Sequence, residues 1–191
     1  MTSILQSNRS PSLSPTSFNQ SGSTYNKPLH PVESRINLNP NLSTRERHIH
    51  WDLTLPTENA RVHPGFTNDQ ATKPALPSMT IICEALPCPI SVVESQRGYG
   101  VTVMDVLRTI YTSLRTQLSE ADFKQLSPDM QQKVSDAFRH RYRSIGDEKV
   151  RAIEKSKGLK LVDMLGRKKV FAGLQSTMWG PDIWELCLSS S

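Results

Sequence analysis

TVMDVLRTIYTSLRTQL, residues 102–118, decides what kind of fold this chain adopts. Val103, Val106, Leu107, Ile110, Tyr111, Leu114 and Leu118 recur three and four residues apart, while Met104, Arg108, Thr112 and Arg115 fall outside that stripe. The spacing predicts an amphipathic helix with one face in a core. Thr102 and Asp105 stand at the N-cap and N3 positions. There the hydroxyl accepts from the Asp105 amide and the carboxylate accepts from the amide of Thr102, so the start of the helix is chemically marked.

Working outward, MTIIC (79–83) and PISVVES (89–95) are short runs rich in β-branched residues and read as strands. Pro87 and Pro89 make their junction a turn or a sheet edge. Farther upstream, HIHWDLTLP (48–56) alternates Trp51, Leu53 and Leu55 with Asp52 and Thr54, which predicts a half-buried strand ended by Pro56. Residues 57–76 are polar, carry Pro64, Gly65 and Pro74, and read as a surface loop.

Downstream, Ser119 and Asp122 mark a short turn that buries Phe123 and Leu126. Ser127 and Pro128 open a further helix, since proline at the first helical position loses no hydrogen bond. Its stripe is Met130, Val134, Phe138, Tyr142 and Ile145, and Gly146 closes it. After a charged stretch, 147–157, the order KLVDML, GRKK, VFAGL predicts a hairpin that turns at Gly166. In WELCL (184–188), Trp184, Leu186 and Leu188 share one face of a last strand. Strands on both sides of a helical block give an α+β class, a mainly antiparallel sheet packed against two or three helices.

At 191 residues, with 36% hydrophobic and 21% charged side chains, the chain fits one domain with a tail. Residues 1–35 hold nine Ser, three Thr, four Pro, three Asn and two Gln, too polar a set to build a buried face, and read as a disordered tail. Ser10 and Ser14 in it precede prolines and suit a proline-directed kinase. Residues 36–191 are then a single α+β domain. Cys83, Cys88 and Cys187 follow no secretory leader, so the expectation is reduced thiols in the cytoplasm or nucleus, with no membrane span. The glycosylation-type tripeptides at Asn8, Asn19 and Asn41 are idle in that setting.

No motif carries a reaction or a cofactor. His48, His50, His63, Cys83 and Cys88 lack the paired spacing of a structural zinc site, so no metal is expected. Cys88 is the one cysteine worth testing as a nucleophile. Gly98, Tyr99 and Gly100 lie between a strand and a helix in the manner of a phosphate loop, yet lack the third glycine and the Gly-Lys-Ser/Thr ending, and Asp105 would oppose an anion. Asp105 and Asp163 could perform acid–base work only if the fold joined them.

Charge is the stronger lead. Residues 97–169 hold 16 Lys or Arg against nine Asp or Glu, whereas the last 22 residues hold two acids and no base. Arg139 and Arg143 share a helical face beside Tyr142, and Arg167, Lys168 and Lys169 form the expected hairpin turn. Such residues can grip phosphates and stack on a base.

Taken in order, NPNL, WDLTLP, ATKPALP (71–77), LPCPISVV, VTVMDVLRTIYTSLR, KLVDMLGRKKVFAGL and WELCLS resemble a family of fungal proteins, frequent in mushroom-forming species, that share a domain of unknown function. The resemblance covers residues 36–190 and implies a shared fold, with no catalytic residues attached. The sequence therefore points to a noncatalytic protein-interaction domain with an unnamed protein partner. The alternatives are nucleic-acid binding through Arg139, Arg143, Arg167, Lys168 and Lys169, and an unrecognised enzyme.

Overall fold

The computed structural model describes residues 36–46, 48–62 and 64–190. The tail expected over 1–35, with Ser10 and Ser14, lies outside the described residues, as does His63. The helix that decides the fold, α1 (Val103–Leu114), carries both halves of its capping box: Asp105 N donates to Thr102 Oγ1 at 3.1 Å, and Thr102 N donates to Asp105 Oδ2 at 2.9 Å. It ends one turn earlier than the apolar stripe does. Leu118 is still buried, reached by extended chain whose amide donates to Leu159 O.

Strands β1 (Asn37–Leu38) and β2 (Thr72–Lys73) form a small antiparallel pair. The main sheet holds β3 (Ser78–Ile82), β4 (Ile90–Val93), β5 (Val170–Ser176) and β6 (Ile183–Ser189) in the order β4-β3-β6-β5. Two antiparallel hairpins, β3/β4 and β5/β6, meet through a parallel pairing of β3 with β6. The α+β class and the antiparallel bias are thus observed.

Met79, Ile81, Ile90, Val92, Trp184, Leu186, Phe171 and Leu174 are all buried, and they join the apolar face of α1 in one core. Beyond α1 lie α2 (Glu120–Gln125), α3 (Pro128–Arg143), α4 (Glu148–Ser156) and α5 (Leu161–Met164). The short α5 touches both α1 and α3, and α3 in turn carries α4.

Three expectations are corrected. HIHWDLTLP is not a regular strand: Asp52 Oδ1 accepts from Thr54 N at 2.8 Å, Leu55 N donates to Asp52 O at 2.9 Å, and the chain turns. Trp51 and Leu53 remain fully buried against the start of β5, whereas Leu55 is exposed. KLVDML is not half of a hairpin either. It forms α5, in which Leu161, Val162, Asp163 and Met164 are all buried, and β5 pairs with β6 instead. An apolar run buried on every side has no period by which helix and strand can be told apart. The loop expected over 57–76 re-enters the core at Ala71 and Thr72.

The charged stretch after Gly146 forms α4, and its burial is inverted. Arg151 donates inward to Ile145 O at 2.9 Å and to Gly146 O at 3.3 Å, and Glu154 also turns inward. Val150 and Ile153 are left facing solvent, 49% and 56% exposed.

Candidate functional site

The turn that resembles a phosphate loop is already filled by the chain itself. Gly98 N and Gly100 N each donate, at 2.8 Å, to a different carboxylate oxygen of Glu94. The next donors toward α1, the amides of Thr102 and Ser95, reach Asp105 Oδ2 at 2.9 and 3.4 Å. Burial pushes the Asp105 carboxyl up, but the hydrogen bonds from Thr102 and Ser95 outweigh it and hold the group below its usual range. A phosphate here would have to displace two carboxylates, so the hollow lined by Thr67, Ser95, Tyr99, Asp105 and Arg108 is an internally neutralised helix start.

Asp163 belongs to a separate arrangement. Arg141 Nε and Nη2 donate to its two oxygens at 2.7 and 2.8 Å, and Lys160 N adds a bond of 2.9 Å. Arg141 also reaches Glu154 and donates to Gly158 O at 3.0 Å, while Lys160 Nζ and Lys157 Nζ pair with Glu154. This knot of charge joins α3, α4 and α5. Burial alone would lower the Arg141 pKa, yet the bonds and charge of Asp163 and Glu154 prevail and raise it. Asp105 and Asp163 therefore serve two different hydrogen-bond sets. Arg141, which the sequence reading passed over between Arg139 and Arg143, is the arginine the fold uses most.

Glu154 makes stability depend on pH. Burial raises its pKa, but hydrogen bonds from Lys160 and Lys157 and the charges of Lys160 and Arg141 outweigh that and lower it. A carboxylate depressed in the folded state stabilises fully above its unfolded value, about 4.3, and the contribution is lost as pH falls through the folded value. The expected result is a denaturant midpoint that declines below about pH 5, with a shallower decline in Glu154→Gln. An unchanged slope in that variant would remove Glu154 from the effect.

Among the described residues, no group of three or more His, Cys, Asp and Glu is placed to hold a metal ion. Cys83 is buried, Cys187 half-buried and Cys88 exposed, all three as free thiols. Burial pushes the Cys83 and Cys187 thiols above their ordinary range. No helix among the described residues is long and apolar enough to cross a membrane.

Of the basic residues, Arg139 and Arg143 line one shallow hollow with Asp136 and His140 near the end of α3. Arg139 pairs with Asp136 at 3.2 Å, and the Arg143 guanidinium lies 6.0 Å from the Tyr142 ring centre. Arg167, Lys168 and Lys169 stand in the connection from α5 to β5 rather than in a hairpin turn. Arg167 and Lys168 are exposed, and Lys169 pairs with Asp52 at 3.3 Å.

Among the described residues, the most exposed large apolar side chains sit elsewhere, at the tip of the β5/β6 hairpin. Met178 is 93% exposed and Trp179 73%. The tip is ordered by Thr177, whose hydroxyl donates to Ile183 O at 2.9 Å and accepts from Trp179 N at 3.2 Å. A tryptophan inside the turn cluster TMWGPD (177–182) was the available signal, because turn residues ordinarily surround polar side chains. Residues 49–182 match a family described as a family of unknown function, DUF6699. No curated protein and no solved structure matches the chain.

Proposed function

The chain belongs to DUF6699, and on that premise we propose that it is a noncatalytic protein-interaction domain acting inside the cell, which inserts the Met178–Trp179 tip into an apolar pocket of a protein partner. The exposure of Trp179 on an ordered hairpin carries this reading. Tryptophan is among the residues that dominate interface energies, and a preordered tip has little conformational freedom to lose on binding. Three free thiols support a reducing compartment.

Nucleic-acid binding is the second reading, favoured by the exposure of Arg139, Arg143, Arg167 and Lys168. It is weakened by the acidic partners that Arg139 and Lys169 already have. One experiment separates the two. Tagged full-length chain and its Trp179→Ala variant are used to capture partners from the native host's lysate, with and without nuclease. The expected result is a set of partners that survives nuclease and falls at least about tenfold with Trp179→Ala, while the melting midpoint is unmoved, since exposed positions cost within about 0.5 kcal/mol. Equal capture by the variant overturns the reading, and partners lost only with nuclease favour the basic residues.

A further inference from the structure

Two unpartnered features of this chain are complementary to each other. On α4, Val150, Ile153 and Lys157 are three and four residues apart and share the solvent side, with Lys149 at its border. The roll of the helix is set by its polar residues, because Arg151 and Glu154 are both tied inward. Its apolar stripe therefore stays in water although the sequence makes the helix amphipathic. At the hairpin tip, Met178 and Trp179 are also in water, and Asp182 follows them. The tip belongs to the segment 170–191, which holds two acids and no base.

We infer that the Met178–Trp179 tip of one chain docks on the outward face of α4 of a second copy. The inference rests on the interaction reading above and names a partner for the same tip. Trp179 and Met178 would cover Val150 and Ile153, and Asp182 would face Lys149, whose ammonium could also lie over the indole ring; Lys157, at the far end of the stripe, already pairs with Glu154. Asp182 beside the tip disfavours an anionic membrane or a nucleic acid as its occupant, and Lys149 at the border of the α4 stripe favours a partner that brings an acid with its apolar side chains. Both patches are exposed within a single chain, so neither covers the other internally. The contact joins two different surfaces and is head-to-tail, so it can propagate beyond a pair. Few side chains take part, which places it among small, weak interfaces.

Sedimentation of the purified full chain over a concentration series tests this. The expected result is an average mass that rises above the single-chain 21.5 kDa with concentration and falls back when salt is added. Trp179→Ala and Ile153→Glu each weaken association at least about tenfold on their own. Mixed together they form a one-to-one pair and nothing larger, because the first retains the α4 face and the second retains the tip. A wild-type chain that stays single throughout overturns the self-docking, as do variants that associate as the wild type does or a mixture that fails to pair. If the chain stays single while Trp179→Ala still loses its lysate partners, the interaction reading stands and only the second copy is wrong. If capture is also unchanged, both fall.

Discussion

Arg141→Ala lowers the unfolding free energy by about 3–5 kcal/mol, the cost of breaking a buried ion pair from one side. The size follows from what is left behind. Asp163 is almost fully enclosed, with 2% of its side chain accessible, and two of its bonds come from the Arg141 fork. Removing the fork leaves one backbone bond, from Lys160 N, to hold a buried carboxylate. Glu154 loses a partner in the same step, although Lys157 and Lys160 remain on it. Arg141→Lys should recover little, since an ammonium cannot bond both carboxylate oxygens and Gly158 O in the fork geometry. The check is a denaturant midpoint at neutral pH, repeated in an Asp163→Asn background. There the loss on Arg141→Ala should shrink, because the charge stranded in the single variant is gone. An equal loss in both backgrounds would mean that Arg141 acts through packing alone.

Gly173→Ala costs about 2–6 kcal/mol, from backbone strain and overpacking together. Gly173 lies at the irregular register of β5 with φ +115°, and a Cβ built there comes within 2.6 Å of Thr44 N and 2.8 Å of the Ser43 carbonyl carbon. Those are backbone atoms of the segment that crosses the edge of β5, where Thr44 N donates to Leu174 O at 3.3 Å. They cannot rotate away as a flexible side chain would. Gly166→Ala is the control: its φ is +57° with nothing near the built Cβ, so only the left-handed conformation is penalised, by about 1–2 kcal/mol. Equal midpoints for the two variants would show that the Ser43–Thr44 crossing yields without cost.

The parts of the fold legible in the sequence are those whose chemistry is local. The Thr102–Asp105 box, the Ser127–Pro128 helix start and the alternation in WELCL each rest on neighbours within four residues, and each appears as read. Where the reading failed, a local pattern was outweighed by something distant or was ambiguous. The alternation of Trp51, Leu53 and Leu55 was real as burial for the first two, but Asp52 bonds the Thr54 amide and bends the chain before a strand can extend. LVDML, read as half of a hairpin, is helical: Asp163 accepts from the Lys160 amide at the start of α5, and Arg141, 22 residues away, binds the same carboxylate.

The same division holds for the candidate site. Composition located the basic excess and the acid-only end of the chain, and the turn residues around Trp179 were visible as letters. Helical spacing already set Arg141 apart, three residues after Phe138 and four before Ile145 on the apolar side of α3, while Arg139 and Arg143 share another face; that Asp163 and Glu154 meet it there could not be read, because those contacts form only when α4 and α5 pack on α3. Nor could the sequence show that Glu94 fills the Gly98–Gly100 turn, or that Val150 and Ile153 face water. By itself, then, the sequence determined the α+β class, the start of α1 and the apolar faces of α1 and β6, since propensity, capping and periodicity act over one or two turns. Only the tertiary structure decided the parallel joining of β3 and β6, the Arg141 knot and the outward stripe of α4. Each of these depends on which distant group satisfies a buried charge or a backbone amide, and that choice is made when the elements meet.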